Sequence, residues 1–520
     1  MSGLTPARAN ARPANLDTRK QPTLQCAVTH SFLLIESGAI ATMPLRRFFP
    51  ARFLLTLACL FSIALPLTPR YDFRQPLVTA STGDSEPKEL EVFQGYLEAA
   101  PLGLDVRYAW TLPGGHGENV RIADIEFSWN LSHNDLAAAA SKLFLYVKGA
   151  TPADRAVEEA NRNHGTAVIG ELVAAPDGIG VTGIAHGAKL GLVNPLTGAV
   201  PDVAGAIRRA ASEMRAGDVM LIEEQSTVGP RFDLSTGRGL LPVEYETQIF
   251  QAIKSATSKG IVVVESAGNG FDDLDHPAYN GAFDRNKKDS GAIMVGAGLP
   301  EGGVYGFGPD RTRTPESNYG SRVDVQGWGR FITTTGFGDL RHELGENNWY
   351  TIDFGATSGA AAMVAGAAAL IQSILIERGR EPLEPADLRQ LLVCAGTPQT
   401  GNLSERIGPR PNLRAALALL DGLAPEVVPE ITAIKLKKSG GKLVVDGSGF
   451  VDDDSIIEID GTPVTRLKYP SDFATACGTT GRIQTKANVT DLIPRGADVS
   501  ITVFTPSTSK RSAPFIFRRN

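Results

Sequence analysis

Phe354-Gly355-Ala356-Thr357-Ser358-Gly359-Ala360-Ala361-Ala362-Met363-Val364-Ala365-Gly366-Ala367-Ala368-Ala369-Leu370-Ile371 places a serine ahead of a long run of small, helix-forming residues. A hydroxyl at a helix N-terminus gains free backbone N–H groups and the positive end of the helix dipole. A serine is also a common cap before a buried helix. The stretch therefore needs partners elsewhere in the chain before it carries chemistry.

Three other stretches supply them. Val120-Arg121-Ile122-Ala123-Asp124-Ile125-Glu126 is a short β-rich run containing Asp124. It suits a carboxylate at the C-terminal end of a parallel strand, where open α/β sheets place their sites. Asn163-His164-Gly165-Thr166 opens a run of small and apolar residues to Ala174. The run predicts a helix packed closely on a neighbour, with His164 at its start. Val262-Val263-Val264-Glu265-Ser266-Ala267-Gly268-Asn269 reads as a buried strand running into a turn. Alone, each is ambiguous. Together they give carboxylate, imidazole and hydroxyl in the chain order Asp, His, Ser.

On these motifs the chain resembles the subtilisin-like serine peptidases, the subtilases, over about residues 100–425. The resemblance implies a peptidase that acts on protein or peptide substrates. Ser358 would attack the scissile carbonyl, His164 would carry the proton, and Asp124 would orient the imidazole. Asn269 would donate its amide to the oxyanion beside the Ser358 N–H. A catalytically silent relative that binds peptides in the same cleft is the alternative. The sequence departs from the family in several places. Ala356 stands for the Gly before Thr-Ser, Ala362 for a Pro, and Met363 where a His is frequent. Glu126 stands for a Gly; it either raises its neighbour's pKa or faces solvent, and the solvent reading is favoured.

The resemblance extends to two acidic loops. Ser132-His133-Asn134-Asp135-Leu136 is similar to the family's stretch whose Asp binds a structural calcium, and Ala175-Pro176-Asp177-Gly178-Ile179-Gly180-Val181 to its partner loop. Asp135 and Asp177 could supply oxygens to calcium, although a plain Asp-Gly turn is the preferred reading. No other cofactor or metal is expected. Substrate-pocket walls are expected from Ser266 to Gly268 and from Leu221 to Ser226, where Glu223 and Glu224 would favour basic side chains.

Outside the motifs, runs at Lys189–Val193, Val219–Ile222, Ile261–Glu265 and Ile293–Ala297 read as strands. Helical patterns at 202–215, 245–258 and 384–392 alternate with them. The fold class is thus α/β, a subtilisin-like doubly wound and mostly parallel sheet. Residues 430–520 change to short β-rich runs with Gly turns, predicting a small all-β immunoglobulin-like sandwich. These runs resemble the IPT/TIG fold.

With 520 residues, 42% apolar and 21% charged, the chain has room for two or three structured units. A net charge of −6 carries no signal for nucleic acid. Arg46 and Arg47 precede the apolar run from Phe53 to Leu65. This describes a secretory signal over 43–66, beginning at Met43, after a mis-assigned or disordered leader at 1–42. The run is too short for a membrane span, which needs about 20 residues. A secreted or periplasmic protein follows, with a linker or short pro-segment at 67–100, a peptidase domain at 101–425, and no stable span in the mature chain. Of four cysteines, Cys394 and Cys477 would remain after processing; two buried thiols are the preferred expectation, with a bridge between them as the alternative. Oligomeric state is not legible in the sequence.

Overall fold

Strand-forming runs of Val, Ile and Leu, bounded by Gly, Asp and Asn, assemble the main sheet. The computed structural model describes residues 90–519, apart from 199, 302–307, 422–428, 438–440, 452–454, 469–478 and 507–509. Seven strands lie in the order β2-β3-β1-β4-β7-β8-β9. They are β1 (Arg121–Ile125), β2 (Leu145–Val147), β3 (Lys189–Val193), β4 (Val219–Ile222), β7 (Val262–Ser266), β8 (Ile293–Gly298) and β9 (Val325–Trp328). All are parallel. A short antiparallel pair, β5 (Gln225–Ser226) with β6 (Leu241–Pro242), follows β4.

Side chains alternate across this sheet, as the period of a strand dictates. Ile122, Leu192, Leu221 and Val264 join one core with the helices Arg155–Val173 and Ala356–Glu377. Ile125, Val193, Met220 and Val263 join a second core with the helices Val203–Glu213 and Thr247–Thr257. The sheet is therefore doubly wound. Its strand order reverses between β1 and β4, and open α/β sheets bind ligands at the carboxyl ends of the strands flanking such a switch.

Two elements clasp the site. Helix Ala356–Glu377 has the length and hydropathy of a membrane span, yet 94% of its apolar window is buried inside the protein. Among the described residues no other helix has that character. An antiparallel hairpin, β10 (Ile332–Leu340) with β11 (Tyr350–Phe354), leads into this helix. The hydroxyls of Thr334 and Thr335 bond the carbonyls of Ala167 and Thr166, each at 2.7 Å. The hairpin is thereby pinned to helix Arg155–Val173.

Near the C-terminus, β12 (Glu430–Leu436), β13 (Leu443–Val451), β16 (Leu467–Lys468) and β17 (Thr479–Thr485) form one antiparallel sheet. β14 (Ile456–Ile459), β15 (Thr462–Val464), β18 (Asp498–Thr505), β19 (Lys510–Arg511) and β20 (Phe515–Arg518) form another. Val445, Phe450, Ile457, Ile483 and Ile501 share a core of their own. This is the all-β unit predicted for that region.

Two expectations fail. His164 is not at a helix start: the helix begins at Arg155, capped by the Asp154 carboxylate on the Ala156 N–H. Cys394 is not a free thiol but disulfide-bonded. The other three cysteines lie outside the described residues, as does the segment read as an export signal.

Candidate active site

β1 carries two carboxylates on one face, two residues apart, and their fates differ. Asp124 lies within the strand and is fully buried. Its Oδ2 accepts the Trp129 indole N–H at 2.7 Å, and its Oδ1 has no partner. Burial first, and then the charge of Glu126, push its carboxyl well above the usual range, against the pull of Trp129. Asp124 is packed beneath the sheet edge and makes no bond to His164.

Glu126 lies just past the end of the strand. Its Oε1 accepts the Phe127 N–H at 2.7 Å, and its Oε2 takes the His164 Nδ1 at 2.5 Å. The predicted pairing of Asp124 with His164 is therefore replaced by Glu126 with His164. The prediction that Glu126 faces solvent also fails, since Glu126 is buried. The physical reason is reach: the strand continues through Asp124, and only the next residue on that face extends to the rim.

His-Gly-Thr now reads as a device for close approach. A Cβ on Gly165 would lie 2.2 Å from the Ser128 carbonyl and 2.7 Å from the Glu126 Cγ. Only glycine lets the helix come near enough for His164 to meet Glu126. Thr166 accepts the Asn130 N–H at 2.8 Å and so ties down the loop after β1. The Phe354 ring stands edge-on to the imidazole, with centroids 5.5 Å apart. It fixes the ring plane from the other side.

Ser358 sits in the first turn of its helix, also buried. The first four amides of a helix lack partners within it. Here Ala356 N–H bonds Gly329 O, Thr357 N–H bonds Asn269 Oδ1 at 3.1 Å, and Gly359 N–H bonds Gly355 O. The Ser358 N–H has no acceptor among the described residues.

Asn269 follows Gly268, whose φ of +89° favours glycine. Its Oδ1 accepts both the N–H and the hydroxyl of Thr357, at 3.1 and 2.8 Å. An N–H facing the side chain requires the oxygen on that side. The Asn269 amide nitrogen is thereby turned away from Thr357 as a free donor.

His164, Glu126 and Ser358 line one cleft of about 740 Å³. His164 makes no hydrogen bond with Ser358; such contacts often tighten only when substrate binds. Glu223, just past β4, lines the same cleft as Ser358. Burial and the charges of Asp124 and Glu126 push Glu223 well above the usual carboxyl range, and Ser358 opposes them. Glu224 is raised for the same reasons of burial and neighbouring Glu126 and Asp124. Leu240, Val243 and Tyr245 form the further wall, whereas Ser266 to Gly268 stand outside the cleft. The pairing of β4 with β1, Ile222 against Ile125, brings Glu223 alongside Glu126 at the ends of the two strands.

The two acidic loops meet at Asp135. Asp135 Oδ1 accepts the Tyr350 hydroxyl at 2.6 Å and Oδ2 the Val181 N–H at 2.9 Å. Both oxygens are engaged, and Tyr350 fills the space beside Gly180. Among the described residues no three carboxylate, imidazole or thiol groups converge as a metal site.

Comparison with known proteins agrees in kind. The chain is 28% identical to Subtilisin BL of Lederbergia lenta over 260 residues, covering 50% of this chain and 77% of that protein. It is 28% identical to Subtilisin E of Bacillus subtilis over 297 residues, covering 55% and 64%. A solved structure of proteases from Pseudoalteromonas arctica aligns with TM-score 0.45 at 21% identity, over 64% of this chain and 99% of that one. Residues 116–408, which hold Glu126, His164, Asn269 and Ser358, match the sequence profile of the Subtilase family. The chain belongs to the Subtilase family of serine peptidases.

Proposed function

We propose that this chain is a serine endopeptidase that hydrolyses protein or peptide substrates through an acyl-enzyme, with Ser358, His164 and Glu126 as its triad. The observation that carries the reading is the bond from His164 Nδ1 to Glu126 in the cleft that also holds Ser358. With Nδ1–H held by the carboxylate, Nε2 is left as the base. Ser358 Oγ attacks the scissile carbonyl carbon and gives its proton to Nε2. His164 then returns that proton to the leaving amine as the C–N bond breaks. Water attacks the resulting ester by the same route. The Ser358 N–H and the Asn269 amide would hold the oxyanion, a donor of this kind supplying about 3–4 kcal/mol in the transition state. This chemistry calls on no cofactor, and with Asp135 engaged by Tyr350 and Val181 we read the fold as independent of calcium.

We read residues 43–66 as an export signal, so that the enzyme works outside the cell or in the periplasm. The C-terminal strands fit an IPT/TIG-like appendage that supports the peptidase domain.

A fluorophosphonate probe tests the catalytic reading. Wild-type protein should be labelled, and Ser358→Ala should abolish labelling. The missing Ser358–His164 bond favours a second reading, a silent relative that binds peptides. Absence of labelling on well-folded wild type would establish that reading in place of the first.

A further inference from the structure

Glu223 and Glu224 follow β4 directly and line the cleft beside Ser358. They are only 5% and 8% exposed. Glu224 Oε1 has no hydrogen-bond partner, and neither Glu223 oxygen has one of ordinary geometry. Glu126, bonded to His164, lines the same cleft, and Asp202 and Glu246 add two more acids to the lining. No lysine or arginine is among the residues that line the cleft.

Several buried acids elsewhere in the protein are paired with cations, although Glu171, which does not line the cleft, also has both oxygens without a partner. Glu244 and Asp324 are both bonded to Arg322, and Glu316 to Arg330. An unpaired buried carboxyl is costly. Two of them left without a cation, in adjacent residues that line the cleft holding Ser358, indicate that the cation arrives with a ligand. The cleft has room for several side chains of a bound peptide.

We propose that Glu223 and Glu224 select substrates bearing a lysine or arginine side chain next to the scissile bond. This rests on the peptidase reading of the same cleft. An ammonium or guanidinium there supplies charge-assisted donors to oxygens that otherwise have none. A neutral side chain of the same length leaves them unpaired, which is how a polar site rejects an apolar analogue.

Binding and turnover test the proposal separately. Full-length Ser358→Ala protein would be titrated with fluorescent peptides identical but for lysine, arginine, norleucine or glutamine at one position. The basic peptides should bind about ten-fold tighter or more than the norleucine peptide. Glu223→Gln and Glu224→Gln, each on that background, should bring the ratio down to about two-fold, and Glu224→Asp should keep most of it. Thermal unfolding of each variant would establish that it is folded. Equal binding of lysine and norleucine peptides, or a preference unchanged in both glutamine variants, would overturn the proposal. Fluorophosphonate labelling of wild type separates the two readings. Labelling without discrimination removes the specificity alone, and discrimination without labelling removes the peptidase reading alone.

Discussion

Two residues along a strand keep a side chain on the same face but move it about 6–7 Å. That step separates Asp124, a buried acid bonded to Trp129, from Glu126, which meets His164. Nothing in the local sequence says where a β-rich run stops, so an aspartate inside it looks like an aspartate closing it. The signal that points to Glu126 is its place as the last residue before the loop Phe127–Ser132, where the β-branched run has ended. Ala356 raises a second issue at this scale. Its φ is +56°, in the left-handed region that costs a residue with a Cβ about 1–2 kcal/mol. Ala356→Gly should therefore stabilise the protein by about 1 kcal/mol in chemical denaturation. Unchanged or lower stability would show that the turn carries no such strain.

The loop after β1 and the hairpin β10–β11 meet at His133, Asp135 and Tyr350. His133 Nε2 bonds the Trp349 carbonyl while its Nδ1 accepts the Asp135 N–H, so the ring is neutral. Burial, aided by the charge of Arg341 and opposed by that carbonyl, lowers its pKa to about 4. Burial raises Asp135 to about 6, with Asp177 adding and Tyr350 and Val181 opposing. The two act in opposite senses on acidification. Between pH 6.5 and about 4 the unfolded chain protonates His133 and the native state does not, which removes stability. Between about pH 6 and 3.8 the native state protonates Asp135 first, which restores it. Asp135→Asn should expose the His133 term, a loss of about 3 kcal/mol as pH falls from 6.5 to 4. A pH profile as flat as that of wild type would refute the assignment.

Elements of this size were legible where an apolar period marked them. The strands at 189–193, 219–222 and 293–298 and the helices at 203–213 and 385–395 fall where the pattern puts them. The first half of the histidine helix, Arg155 to Asn163, escaped because it is mostly polar and shows no clear stripe. The hairpin escaped because its interior threonines bind helix carbonyls rather than forming an apolar face.

At the scale of the molecule, the site exists because the strand order reverses between β1 and β4, opening their carboxyl ends into one crevice. That order is invisible in a single sequence, so Glu223 could be expected in a pocket wall but not beside Ser358. On the β7–β9 side the sheet is held by Arg322, fully buried, which bonds Glu244 at 2.7 and 2.9 Å and Asp324 at 2.9 Å. Burial raises Glu244, but Arg322 outweighs it and holds the carboxyl at about 2. Arg322→Met should cost about 3–5 kcal/mol, because it leaves buried acids uncompensated. A smaller loss in urea unfolding would mean that these acids are already satisfied by other groups.

The central claim is that the carboxylate holding the catalytic imidazole is Glu126 and not Asp124. It is tested most directly by kcat/KM for a peptide substrate in two isosteric variants. Glu126→Gln should fall about 10³–10⁴-fold, as expected when an imidazole loses the carboxylate that sets its tautomer. Asp124→Asn, at an acid that bonds Trp129 and not His164, should stay within about ten-fold of wild type. A collapse in Asp124→Asn with near-normal turnover in Glu126→Gln would contradict the account.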